Sequence, residues 1–238
     1  MKRIISMLLL ILFCANLSGC FNKSVDTLSE LAKGKNKVVY LKENNLYVPY
    51  LVLDGNYQGN ILLLRKDVMG DFMSISGYSS EYEGSAIDKF LSSEYLGFFS
   101  DEISGQIKAM DIEVTSKESL YKAGKDTYTI SRKAFLLSYT EVNYSEHSMA
   151  PNEGVALSYF TDDQSRVAYR DGEPCSWWLR TPYTDYDSVT WSVGGDGAKT
   201  ELSSAIENGI RPAFCLPGEM NIKESTEIVN SETVFVIE

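Results

Sequence analysis

The last third of the sequence gathers side chains of types that recognise ligands. Trp177, Trp178 and Trp191 offer flat faces that stack on sugars or on a protein surface. Arg180 and Arg211 each stand close to a proline at an apolar run. Their guanidinium groups are expected either to pair with Asp185, Asp187 or Asp196 or to recognise an anionic ligand. The same three carboxylates are hard oxygen donors of the kind calcium takes, but no complete calcium loop accompanies them, so no metal site is assigned. Cys175 and Cys215 leave three outcomes open: one disulfide, two buried thiols, or a reactive redox pair. His147 is the one histidine; it lies in the polar run Asn143-Tyr144-Ser145-Glu146-His147-Ser148. One histidine cannot build a His-rich zinc site, and without a G-x-S-x-G elbow it is expected to be a solvated loop side chain. Carboxylate pairs are abundant, but nothing fixes their spacing for acid and base work, so no catalytic residue is assigned.

The N-terminus carries chemistry of another kind. Met1-Lys2-Arg3 is a positive start, and nine of the ten residues from Ile4 to Phe13 are apolar. That is the length of a signal-peptide core and short for a membrane span. Leu17-Ser18-Gly19-Cys20 follows and resembles the bacterial lipobox, in which small residues before the cysteine admit the signal peptidase. The expectation is cleavage before Cys20, lipidation of its thiol, and a chain held outside the cytoplasmic membrane by that lipid. Cys14 would leave with the signal, so only Cys175 and Cys215 belong to the folded part, in a compartment that permits disulfides. The formal net charge of −11 over 238 residues argues against nucleic-acid and anionic-lipid partners.

These residues need elements to position them. The sequence divides into a signal peptide over 1–19, a lipidated polar tether over 20–36, and one globular domain over 37–238. Three β-rich runs, 38–41, 46–53 and 61–65, are separated by Glu43-Asn44-Asn45 and Asp54-Gly55-Asn56, which predicts a three-stranded meander with Pro49 at an edge or a bulge. Ser85 followed by Ala86, Ile87, Phe90 and Leu91 predicts a capped amphipathic helix, and Ser100-Asp101-Glu102 opens a second. Further strands are expected at 111–115, 133–138, 177–180, 188–193, 210–216 and 233–237, and a helix at 155–160. The fold class is α+β: short antiparallel strands, two or so helices and long loops.

Phe135-Leu136-Leu137-Ser138, Trp177-Trp178-Leu179-Arg180-Thr181-Pro182, Gly194-Gly195-Asp196-Gly197 and Gly209-Ile210-Arg211-Pro212-Ala213-Phe214 resemble, in order and spacing, a bacterial family called domain of unknown function 6273. Tyr50 to Leu53 and Ile61 to Leu64 match its opening strands, so the resemblance covers most of 37–216. That family carries no catalytic residues to transfer. More distantly, a Trp and Arg strand followed by a Gly and Arg strand is similar to the end of the C-type-lectin-like fold, shared with sulfatase-modifying enzymes. This second likeness implies fold alone. The formylglycine-generating branch of that fold uses an active-site cysteine pair, and Cys175 and Cys215 sit inside the strand blocks instead. If those strands are neighbours, the positions suggest a staple between them.

Two functions follow as expectations. The first is a non-catalytic cell-surface module that binds a glycan, an envelope component or a protein, using Trp177, Trp178, Arg180, Asp185, Asp187, Trp191, Asp196 and Arg211. The alternative is an envelope enzyme related to the sulfatase-modifying branch, which a reducible Cys175 and Cys215 pair in a cleft would favour and a disulfide beneath the surface would disfavour. No cofactor is called for by either beyond the calcium noted above.

Overall fold

The computed structural model describes residues 25–34, 37–229 and 232–238. The expected signal peptide and lipidation site at Cys20 therefore lie outside the described residues. In chain order the elements are α1 (Leu28–Lys33), β1 (Val38–Glu43), β2 (Leu46–Tyr57), β3 (Asn60–Arg65), α2 (Ala86–Ser92), α3 (Asp101–Gln106), β4 (Met110–Thr115), β5 (Thr127–Arg132), β6 (Ala134–Phe135), α4 (Asp163–Arg166), β7 (Ala168–Arg170), β8 (Glu173–Cys175), β9 (Trp177–Pro182), β10 (Val189–Val193), β11 (Lys199–Ser203), β12 (Ala213–Leu216), β13 (Lys223–Val229) and β14 (Glu232–Val236), with short 3₁₀ turns after α2 and β4. Strands in several small sheets dominate and helices are few and short, an α+β arrangement.

The largest sheet runs β13-β14-β1-β2-β3-β12-β6. The β1/β14 pair is parallel and its other pairs are antiparallel. The three-stranded meander and its first turn are as expected, but the second turn is not at Asp54-Gly55-Asn56: β2 runs on through those residues with shifts of register, and the chain turns at Gln58-Gly59. Asn44 and Asn45 both take positive φ, 48° and 68°, and Gln58 and Gly59 do the same at 49° and 82°. Two left-handed central residues let a two-residue loop match the strands' twist. Ile61 to Leu64 and Ala213 to Leu216 are buried without alternation because both faces of the sheet are covered.

Pro49 corrects one expectation. It sits inside β2, an internal strand, opposite Tyr40. The ladder to β3 ends one residue on, at Tyr50 opposite Arg65, and the Pro49 carbonyl accepts from the Lys66 N–H at 2.9 Å. The missing N–H falls at the last rung of the ladder, so no internal bond of the sheet is lost.

Both predicted N-caps are present: the Ser85 side chain accepts from the Asp88 N–H and that of Ser100 from the Ile103 N–H. The tether expectation fails for its second half. Thr27 caps α1, Leu28 and Leu31 are buried, and the Leu28 and Ser29 N–H groups donate to the carbonyls of Met220 and Gly218. Six residues with three apolar positions give too little periodicity to be read in advance. The helix expected at 155–160 is also absent; Val155 is 80% exposed, and Leu157 and Phe160 anchor an irregular loop. Lys133 lies outside a strand and only Ala134 and Phe135 pair with β12, while Ile210 to Pro212 precede β12 as irregular chain. The strands β5, β11 and β13 were not anticipated; their polar, half-exposed sequences carry no strong alternation.

A second sheet, β11-β10-β9, carries the Trp177 block, and β4/β5 and β7/β8 form two hairpins. Trp177 bridges Gly209 in parallel, and the Trp178 N–H donates to the Gly209 carbonyl at 2.9 Å. The two motif blocks are thus neighbours, joined at the ends that face the core.

Candidate functional site: a cleft above a closed polar floor

Every residue of β9 is buried, Arg180 included. A buried guanidinium must find acceptors for its five N–H groups. The Arg180 Nε donates to the Glu113 carbonyl at 2.9 Å, and Nη1 to the Leu136 carbonyl at 2.9 Å and to Glu141 Oε2 at 2.6 Å. Nη2 donates to the Glu153 carbonyl at 3.1 Å, and the Glu153 carboxylate stands 3.7 Å from Nε. The expected partners Asp185, Asp187 and Asp196 are not among them.

The two glutamates are held from several sides. Glu141 Oε1 accepts from the Tyr57 hydroxyl at 2.8 Å and Oε2 also from the Ser138 N–H at 2.9 Å. Glu153 Oε1 accepts from the N–H and hydroxyl of Thr115, and Oε2 from the Thr181 hydroxyl at 2.6 Å. Burial raises the Glu153 carboxyl above its ordinary value, against the pull of Arg180 and the two threonines. Burial would by itself lower the Arg180 guanidinium, but Glu141 and Glu153 outweigh it and leave the group raised. Burial, with Glu141 beside it, also pushes the Tyr57 phenol up.

Above this floor opens a cleft of about 780 Å³. Its walls include Asp54, Gln58, Asp111, Glu113 and Asn152, with Val155 to Leu157 as an apolar lip. Gln58 fastens the β2/β3 turn to β4, donating to the Asp111 carbonyl at 2.7 Å and accepting from its N–H at 3.2 Å. Gly154 closes the floor at φ +100°, where an added Cβ would lie 3.2 Å from Glu141 Oε1. Its N–H donates to Glu113 Oε2 at 2.8 Å.

The predicted ligand-binding set falls elsewhere. Trp177 and Trp178 are 0% exposed and Trp191 2%, so none presents a face to a ligand. Period-two alternation would bury one of the first two and bare the other, but both sides of β9 are covered. Each indole N–H instead holds a loop, donating to the carbonyls of Arg166, Met73 and Met149 respectively. Arg211 is buried, stacks 4.6 Å from the Trp177 ring and donates to the carbonyls of Arg65, Lys66 and Arg166; burial lowers it to about 10. It braces loops and does not face a ligand. Asp185 is exposed at φ +84°, the Asp187 carbonyl accepts from Ser80, and Asp196 Oδ1 accepts from the Ala198 N–H. Among the described residues no group of three or more His, Cys, Asp or Glu side chains gathers as a metal site would require. His147 is half-buried, not fully solvated: its Nδ1 accepts from the Met149 N–H and its ring meets Trp191 at 4.9 Å.

Cys175 and Cys215 are both free, which removes the staple. The Trp177–Gly209 bridge is parallel, with Cys175 before it on one chain and Cys215 after it on the other, so the strands carry the thiols apart. Burial raises both thiols, most strongly Cys215. The residues that do form the floor were missed with the exception of Arg180. One signal was available: Ser138-Tyr139-Thr140-Glu141 has the S-x-x-E pattern, and the Glu141 N–H donates to the Ser138 hydroxyl while the Glu141 carboxylate accepts from the Ser138 N–H. Tyr57, Glu113 and Glu153 offered none, because their meeting depends on the packing of β2, β4 and the 152–154 loop.

Residues 58–218 match the family model described as Domain of unknown function (DUF6273). No curated protein and no solved structure matches the chain. No described helix is long and apolar enough to cross a membrane.

Proposed function

The chain belongs to the DUF6273 family, and from that premise we propose that it is a lipoprotein anchored through Cys20 outside the cytoplasmic membrane, where it acts as a non-catalytic binding module for a polar envelope ligand. The observation that carries this reading is the closed floor beneath the open cleft. Tyr57, Glu141, Glu153 and Arg180 are all engaged with one another or with the backbone. A general acid or base must exchange its proton with a substrate, and these groups are spent on holding the cleft's shape. The Asp111 and Asn152 side chains at the walls, with the second carboxylate oxygen of Asp54, are left to receive hydroxyl or amine groups, while Gln58 is held by the Asp111 backbone. The C-type-lectin-like arrangement belongs to the same reading; the adjacency of the Trp177 and Gly209 blocks and the small β9-β10-β11 sheet support it. The raised, separated thiols count against the formylglycine-type alternative, because the thiolate is the reactive form.

The test is a binding screen of the full chain against glycans and cell-wall fragments, with and without calcium, beside an Asp111→Ala variant. Saturable binding weakened in the variant, with the ligand recovered intact, supports the reading. Recovery of a cleaved or modified ligand overturns it in favour of an enzyme, and no binding to any fragment overturns it as well.

A further inference from the structure

The turn between β9 and β10 lies outside the cleft. Its backbone is tied at both ends and in the middle. The Tyr183 N–H donates to the Val189 carbonyl at 2.9 Å, that of Val189 to Tyr186 at 3.1 Å, and that of Thr184 to Met149 at 3.1 Å. From the neighbouring loop Ser80 donates to the Asp187 carbonyl through both its N–H and its hydroxyl. On this pinned turn the aromatic rings form a stair of increasing exposure. Trp191, 2% exposed and held by its indole bond to Met149, lies 5.0 Å from Tyr183. Tyr183 is half-buried, touches His147 at 6.0 Å, and stands 5.8 Å from Tyr186, which is 60% exposed. Asp185, exposed and fixed at φ +84°, sits between the two tyrosines in the chain.

We propose that Tyr183 and Tyr186, backed by Trp191 and flanked by His147 and Asp185, form a stacking shelf for a pyranose ring of an envelope glycan. This rests on the binding-module reading and adds to it a ligand class and a second contact. A pyranose presents a flat face of C–H groups to an aromatic ring and hydroxyl donors around its edge. The shelf supplies the ring faces and, within one residue of them, a carboxylate acceptor. An apolar side chain laid on the rings would cover Asp185 without giving it a donor, and a nucleic acid would bring phosphates towards a chain of net charge −11. The fixed backbone and the wedged Tyr183 confine the ordering that binding requires mainly to the Tyr186 side chain.

The test titrates the full chain with β-1,4-linked hexamers of glucose and of N-acetylglucosamine, following tryptophan and tyrosine emission and, separately, heat. Wild type is expected to saturate. Tyr186→Ala is expected to weaken binding about three- to tenfold, the range of one aromatic stack, at an unchanged unfolding temperature, and Tyr186→Phe to stay within about twofold of wild type. Undiminished binding by Tyr186→Ala overturns the shelf. If Asp111→Ala alone loses binding, the shelf falls and the cleft reading stands; if wild type binds neither hexamer, the pyranose assignment falls while the fragment screen still decides the binding module.

Discussion

Arg180 is a full positive charge with no exposed side-chain surface, which is tolerable only because two carboxylates and three carbonyls surround it. Removing Glu141 takes away the carboxylate that bonds the guanidinium directly and leaves Glu153, 3.7 Å away, as its remaining counter-charge. Glu141→Gln is therefore expected to lower unfolding stability by about 1.5–3 kcal/mol, the worth of a hydrogen bond to a charged group, read as a shift of the urea midpoint. Gly154 stands at a backbone position that side chains rarely adopt, with Glu141 directly behind it. Gly154→Ala is expected to cost about 1–3 kcal/mol in the same measurement. Glu153 gives the floor a pH signature. Its folded-state carboxyl is raised by burial, so the native chain binds a proton in a range where the unfolded chain does not. Stability therefore rises, through this group, as pH falls from above the folded value to the ordinary carboxylate value, and gains nothing further below it. Urea unfolding from neutral pH down to the carboxylate range checks this, since Glu153→Gln should remove that component. Arg180 was legible as a braced arginine from its place in an apolar run. Its partners were not, because Glu141 and Glu153 are far from it along the chain and meet it only through the 138–154 loop.

At the scale of elements, helix starts and the first hairpin turn were the readable parts, because each is decided by two to four adjacent residues, while the second turn was placed at Asp54-Gly55-Asn56 and lies at Gln58-Gly59. Ser85 and Ser100 cap their helices as their positions implied, and Asn44-Asn45 turns its hairpin with both residues left-handed. Ser85→Ala is expected to cost about 1 kcal/mol by loss of the cap to the Asp88 N–H. The short helix α1 was read as tether because its case is made elsewhere: Leu28 and Leu31 are buried against the large sheet, and two of its N–H groups go to the 218–220 turn. Leu31→Ala is expected to cost about 2–5 kcal/mol, whereas a true tether would lose nothing measurable. The loop at 155–160 shows the reverse error. Its apolar residues have a helical appearance, yet Leu157 and Phe160 are drawn into the core individually while Val155 stays in solvent.

For the molecule as a whole, one buried cluster extends from Leu28 to Ile237, so residues on both sides of the family match share the same core. No disulfide joins the described parts, and dithiothreitol is expected to leave the unfolding temperature unchanged; in thiol titration Cys175 should react before denaturation and Cys215 only after it. The anchor is tested separately: Cys20→Ser should move the protein from the membrane fraction to the soluble one. The amino-acid sequence by itself determined the export and lipidation signals as expectations, the acidic charge, the family, the meander and the capped helices. All of these are written in contiguous residues or in composition. Only the tertiary structure decided which groups are exposed. Indole rings that look like stacking platforms in a strand prove to be loop anchors when both faces of that strand are covered, and an exposed ring stands instead on the next turn, at Tyr186 beside Tyr183. Exposure is a property of what lies across from a residue, and what lies across from β9 comes from every part of the chain.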